Sequence, residues 1–96
     1  MPYRVRLTET VRAAVAHFHP ELKELTRRAL AELAENPLLG KELQEELAGY
    51  FSYRFKRYRV IYTVDDGDGT VVVHLVWHRR NVYELLERIA RPEGRT

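Results

Sequence analysis

The sequence predicts an α+β fold in which a helical hairpin covers one face of a mostly antiparallel, four-stranded sheet. Period-2 alternation marks strands at Tyr3-Arg4-Val5-Arg6-Leu7 and again after Gly49, helical spacing of apolar residues separates the two regions, and the order β, α, α, β, β, β, α runs without repeats or linkers. A chain of 96 residues can bury one core but not two, so residues 1–96 are expected to form one domain.

Each element has a local cause. Thr8 can cap a short helix whose Val11, Ala14, Val15 and Phe18 fall on one face. His19-Pro20 breaks that helix, and Pro20 suits the first turn of a second one with Leu22, Leu25, Ala29, Leu30 and Leu33 along its buried stripe. Asn36-Pro37 ends it. The pattern weakens from Leu38 to Gly49 into a connector with at most one helical turn through Leu43 and Leu47. Residues 50–55 and 58–64 are expected as strands joined at Lys56-Arg57, and Val71 to Trp77 as a third strand beyond the Asp65-Asp66-Gly67-Asp68-Gly69 turn. Asn81 to Ala90 forms a closing helix with Val82, Leu85, Leu86 and Ile89 on one face, and Arg91 to Thr96 a frayed tail.

Composition narrows the function. Cysteine is absent, which fits a cytoplasmic protein and removes thiolate chemistry, and no apolar run reaches membrane-spanning length. The acidic turn lacks the spacing and terminal glutamate of a calcium loop, and no carboxylate cluster is present, so neither metal nor other cofactor is expected. The net charge is only +2, but it is unevenly spread: Glu21 to Glu46 holds seven carboxylates, whereas Arg54 to Arg80 holds six cations. Four of these cations, Arg54, Lys56, Arg57 and Arg59, fall in the aromatic and β-branched hairpin Phe51 to Val64. Like charges packed that closely repel unless an anion joins them, which points to phosphate.

Strand alternation assigns faces. Tyr58, Val60, Tyr62 and Val64 form the more apolar set, leaving Arg59 with Ile61 and Thr63 on the other side. In the following strand Val71, Val73, Leu75 and Trp77 are expected in the core, with His74 and His78 turned away. Arg59, His74 and His78 would then share an open face, with Arg54 beside Arg59 across the hairpin and Arg79, Arg80 and Tyr83 just past the histidine strand. Cations, imidazoles and a phenol suit RNA cleavage by the ribose 2′-hydroxyl, which needs a base, an acid and positive charge around the phosphoryl oxygens. Lys56 and Arg57 at the turn, with Arg80 and His74, are expected to grip the RNA.

The segments YRVRLT, NPLLGK, RYRVIYTV and HRRNVYELL together resemble the RelE/ParE superfamily of toxins from prokaryotic toxin-antitoxin pairs. The resemblance runs from Tyr3 to about Ile89 and implies the small microbial-ribonuclease-like fold of that family. For the RelE branch it implies a metal-independent endoribonuclease that cuts messenger RNA on the ribosome and is restrained by a cognate antitoxin. On that basis Arg59 would stabilise the transition-state phosphate, and Arg54 would replace a strand lysine. Arg79 and Tyr83 would match the arginine and tyrosine of the closing motif, and His78 would be the general acid or base. Ser52 stands where the RelE pattern has a second catalytic lysine, and Lys56-Arg57 replaces a glycine-containing turn. The same resemblance admits a ParE-like gyrase poison without nuclease activity, or a non-toxic relative that only binds its antitoxin. An acidic or amphipathic antitoxin segment would fit the arginine-rich face and the short last helix. A homodimer is left open.

Overall fold

The chain changes hydrophobic period where its elements change. The computed structural model describes residues 2–78, 80 and 82–90. It contains β1 (Arg4–Leu7), α1 (Glu9–Ala16), α2 (Pro20–Glu35), β2 (Lys41–Glu42), β3 (Phe51–Phe55), β4 (Tyr58–Asp65), β5 (Thr70–His78) and α3 (Val82–Ala90), with short 3-10 turns at Pro37–Leu39 and Glu45–Leu47. Among the described residues no helix is long and apolar enough to cross a membrane.

Local signals set the helix boundaries. The Thr8 hydroxyl accepts a hydrogen bond from the Val11 amide at 3.2 Å, which satisfies one of the donors left free at the start of α1. Pro20 opens α2, and Asn36 closes it while its side chain accepts from the Leu38 amide at 3.1 Å to start the following 3-10 turn.

The sheet has five strands in the order β1-β5-β4-β3-β2, one more than the sequence predicts. The extra strand is Lys41–Glu42, which pairs antiparallel with Ser52 and Phe51. Two residues are too few to show alternation, so it was hidden in the connector. It is held from outside itself: the Tyr62 hydroxyl donates to the Pro37 carbonyl at 2.7 Å and accepts from the Gly40 amide at 2.9 Å. A Cβ at Gly40 would stand 2.5 Å from that hydroxyl and 3.0 Å from the Ser52 carbonyl oxygen, so the approach requires glycine. β1 runs parallel to β5, and the other pairs are antiparallel.

Both faces of the sheet are covered. Val60, Tyr62, Val71, Val73 and Val76 pack with Val11, Ala29 and Leu33 beneath α1 and α2. Ile61 packs on the opposite face with Val82 and Leu86 of α3, joined by Leu43, Leu47, Tyr50 and Leu75. The alternation of β5 changes at a bulge: Ile61 faces Leu75, but Tyr62 faces Val73, so His74 is the extra residue. Beyond it every side chain of β5 is displaced to the face opposite the one that simple alternation predicts. Trp77 is therefore 38% exposed and not in the core, and Val76 takes the core position.

Candidate functional site

The two-residue loop Lys56-Arg57 sets the register of β3 on β4 and makes Arg54 the direct partner of Arg59. Lys56 has φ +56°, a positive value at the first loop position of the kind that primed hairpin turns require. Across β4, Arg59 is the partner of Trp77. Directly paired residues in an antiparallel sheet project to the same side, so Arg54, Arg59 and Trp77 form a row over three strands.

Helix α3 supplies the fourth group. Val82 and Leu86 are fully buried one turn apart and anchor it on Ile61. This places Tyr83 over the Arg59 row, with the Arg59 guanidinium carbon 5.6 Å from the centroid of its ring. Beneath them lies the hydroxyl of Ser52, a residue only 4% exposed. It accepts from Arg59 at 3.0 Å and from the Tyr83 hydroxyl at 3.3 Å. One small side chain therefore ties the cation of one strand to the phenol of a helix.

The electrostatics of Arg59 are unbalanced. Its side chain is half-buried, its Nε is buried without a hydrogen-bond partner, and no carboxylate lies within ion-pair range among the described residues. Arg54, its cross-strand neighbour, is exposed and adds a second positive charge. Burying part of a cation without a counter-ion is unfavourable, and an incoming anion relieves it.

The histidines do not share this arrangement as expected. His74 is on the α3 side, but it is half-buried, shares a hydrogen bond of 2.9 Å with Thr63, and meets the Tyr50 ring edge-on at 5.4 Å. Burial lowers its pKa, favouring the neutral imidazole. His78 lies past the bulge on the opposite side of the sheet from Arg59, paired with Tyr58, with the ring centroids 4.7 Å apart. The open face expected to join Arg59, His74 and His78 is thus corrected by one bulge. Lys56 and Arg57 are exposed at the hairpin tip, and Arg80 is exposed beyond β5. Arg79 lies outside the described residues, as do Asn81 and the tail.

Sequence reasoning missed Ser52 and Trp77 as parts of this site. Ser52 carried a signal, since a small polar residue stood between aromatic neighbours in a strand. Trp77 carried none, because its face depends on the bulge.

This geometry belongs to a known family. The model of a family described as "ParE toxin of type II toxin-antitoxin system, parDE" matches residues 4–83. The chain belongs to the RelE/ParE superfamily of type II toxin-antitoxin toxins. Its similarity to particular members is on the RelE side. Toxin RelG of Mycobacterium tuberculosis is 42% identical over 85 residues, covering 86% of this chain and 98% of the relative. Toxin RelE of the same organism is 36% identical over 90 residues, covering 88% and 89%. Among solved structures, the toxin-antitoxin complex RelBE2 from Mycobacterium tuberculosis is similar with 41% identity and a TM-score of 0.74, over 82% of this chain and all of the other. The isolated E. coli RelE toxin shares the fold at 24% identity and a TM-score of 0.70, over 91% and 98%.

Proposed function

We propose that this toxin is a metal-independent endoribonuclease that inhibits translation by cutting messenger RNA on the ribosome. The observation that carries the reading is Arg59: a half-buried guanidinium with an unpartnered Nε, no carboxylate partner among the described residues, and Arg54 beside it. A phosphodiester supplies the missing negative charge, and the planar fork of the guanidinium fits its two non-bridging oxygens.

In this reaction the ribose 2′-oxygen bonds to phosphorus, its proton leaves to a base, and the bond from phosphorus to the 5′-oxygen breaks as that oxygen takes up a proton. The products are a 2′,3′-cyclic phosphate and a 5′-hydroxyl. Arg59 and Arg54 stabilise the charge that builds on the phosphoryl oxygens, and one such donor is commonly worth about 10²–10³ in rate. The Tyr83 phenol, held by Ser52 with its ring centroid 5.6 Å from the Arg59 guanidinium carbon, is assigned to the leaving oxygen. Lys56, Arg57 and Arg80 grip the backbone on either side. His78, expected from the resemblance as the acid-base group, would act only on RNA that passes round the end of β5.

RelE toxins of Mycobacterium tuberculosis and Pyrococcus horikoshii form complexes with antitoxins, and we infer an antitoxin partner for this chain. A cleft of about 410 Å³ between β1 and α2, lined by Val5, Leu7, Leu30 and Ala34 with Arg12 and Arg27, suits an amphipathic acidic segment. The matched family model describes ParE toxins, so the experiment has two arms. Messenger RNA ends are mapped during expression, and gyrase-dependent DNA breaks are measured in the same cells. New RNA ends that vanish in Arg59→Leu support the nuclease. DNA breaks without new RNA ends support gyrase poisoning instead.

A further inference from the structure

Trp77 is out of place by the standards of this fold. Val76 beside it is 2% exposed and Leu75, on its own face, is part-buried, yet the one tryptophan of the chain is 38% exposed. The bulge at His74 is what puts it there. Without that extra residue Trp77 would point to the α1–α2 face; with it, the indole stands on the side of Arg59, its direct cross-strand partner. Residues paired in this way have Cβ atoms about 4.5–5.5 Å apart and leave the sheet on the same side, so the indole starts out beside the stem of a cation with no carboxylate partner among the described residues. At the end of the strand the His78 ring comes edge-on to the indole, with centroids 6.1 Å apart. Tyr83, whose ring centroid lies 5.6 Å from the Arg59 guanidinium carbon, is also exposed, at 37%.

A free phosphate would use the guanidinium and leave the indole idle. An apolar surface would use the indole and leave the cation unmatched. A nucleotide uses both, because its phosphate and its flat base are joined through a sugar at a fixed distance. We propose that Trp77 is a base-stacking platform that holds one nucleobase next to the phosphate bound by Arg59. This rests on the nuclease reading above and adds a subsite to it. The indole makes no contact with the reacting atoms: it orients the strand, so that the phosphate sits in line for attack. Stacking does not depend on hydrogen-bond readout, so the subsite accepts any base and favours purines by their larger ring.

The test is single-turnover cleavage on programmed ribosomes with an intact message and with messages carrying an abasic nucleotide on one or the other side of the cut. Loss of a base-aromatic stack is worth about 1–3 kcal/mol, or roughly 5- to 150-fold. At one of the two positions the abasic message should slow the wild type by a factor in that range. Trp77→Ala should slow cleavage of the intact message similarly and be indifferent to the abasic change, whereas Trp77→Phe should stay near wild type. Trp77→Ala cutting at the wild-type rate overturns the proposal, as do two losses that simply multiply. Normal cleavage by Trp77→Ala with lost antitoxin co-purification also overturns it, making the indole a protein contact. If the wild type cuts no message, the nuclease reading itself fails and takes the subsite with it.

Discussion

Replacing Ser52 by alanine should loosen the candidate site more than it weakens the fold. The hydroxyl accepts from Arg59 at 3.0 Å and from Tyr83 at 3.3 Å, in a position only 4% exposed. A hydrogen bond to a charged group contributes about 1.5–3 kcal/mol and a neutral one about 0.5–1.5. Arg59 is half-buried and can turn part of its guanidinium to water, so the lower ends apply, and the sum is a loss of about 2 kcal/mol. In a domain of this size that lowers the melting temperature by roughly 8–16 °C, read by circular dichroism. Cleavage on programmed ribosomes, measured well below both melting points, should fall about tenfold to a hundredfold in kcat, with KM little changed. Ser52→Thr keeps the hydroxyl and suits a strand, so it should recover most of the rate. An alanine variant as stable and active as wild type, or alanine and threonine variants equally impaired, would rule out this role for the Ser52 hydroxyl.

Further consequences concern the scaffold. Tyr62→Phe leaves the Pro37 carbonyl and Gly40 amide without their partner and should cost about 2–4 kcal/mol in urea titrations. Gly40→Ala, which brings a Cβ to 2.5 Å from the Tyr62 hydroxyl, should be destabilised through the same contact. Lys56 sits at φ +56°, where a side chain is strained, so Lys56→Gly should stabilise the fold by a net of about 0.5–1 kcal/mol, read as a higher urea midpoint. Burial depresses the His74 pKa, so the unfolded chain takes up its proton first as pH falls. Stability should therefore drop from the ordinary imidazole value of about 6.5 downward to the lower folded value. His74→Gln should flatten that slope between pH 7 and 5.5.

Much of the fold was legible because its signals are local. Thr8, Pro20 and Asn36-Pro37 mark helix boundaries through chemistry that acts within a few residues, and the α+β order follows from the change of period. The hairpin at Lys56-Arg57 was equally readable, and with it the pairing of Arg54 with Arg59. What escaped depends on distant contacts. The strand Lys41–Glu42 exists because Tyr62 grips the loop before it, and Tyr62 is more than twenty residues away in sequence. The bulge at His74 leaves the alternating pattern of Val71 to His78 looking regular, yet it exchanges the faces of Trp77 and His78. Arg54, Arg59 and Tyr83 could thus be named from sequence, whereas Trp77 could not.

In the proposed reaction Arg59 holds a phosphodiester while a neighbouring ribose hydroxyl attacks it. The most direct measurement is cleavage by purified toxin on programmed ribosomes, comparing wild type with Arg59→Leu, and an all-ribose message with one carrying a single 2′-deoxynucleotide at the cut. Wild type should leave a 2′,3′-cyclic phosphate on the all-ribose message and fail on the deoxy message, and Arg59→Leu should be slower by about 10²–10³. Undiminished cleavage by Arg59→Leu, or cutting of the deoxy message at the full rate, would contradict it.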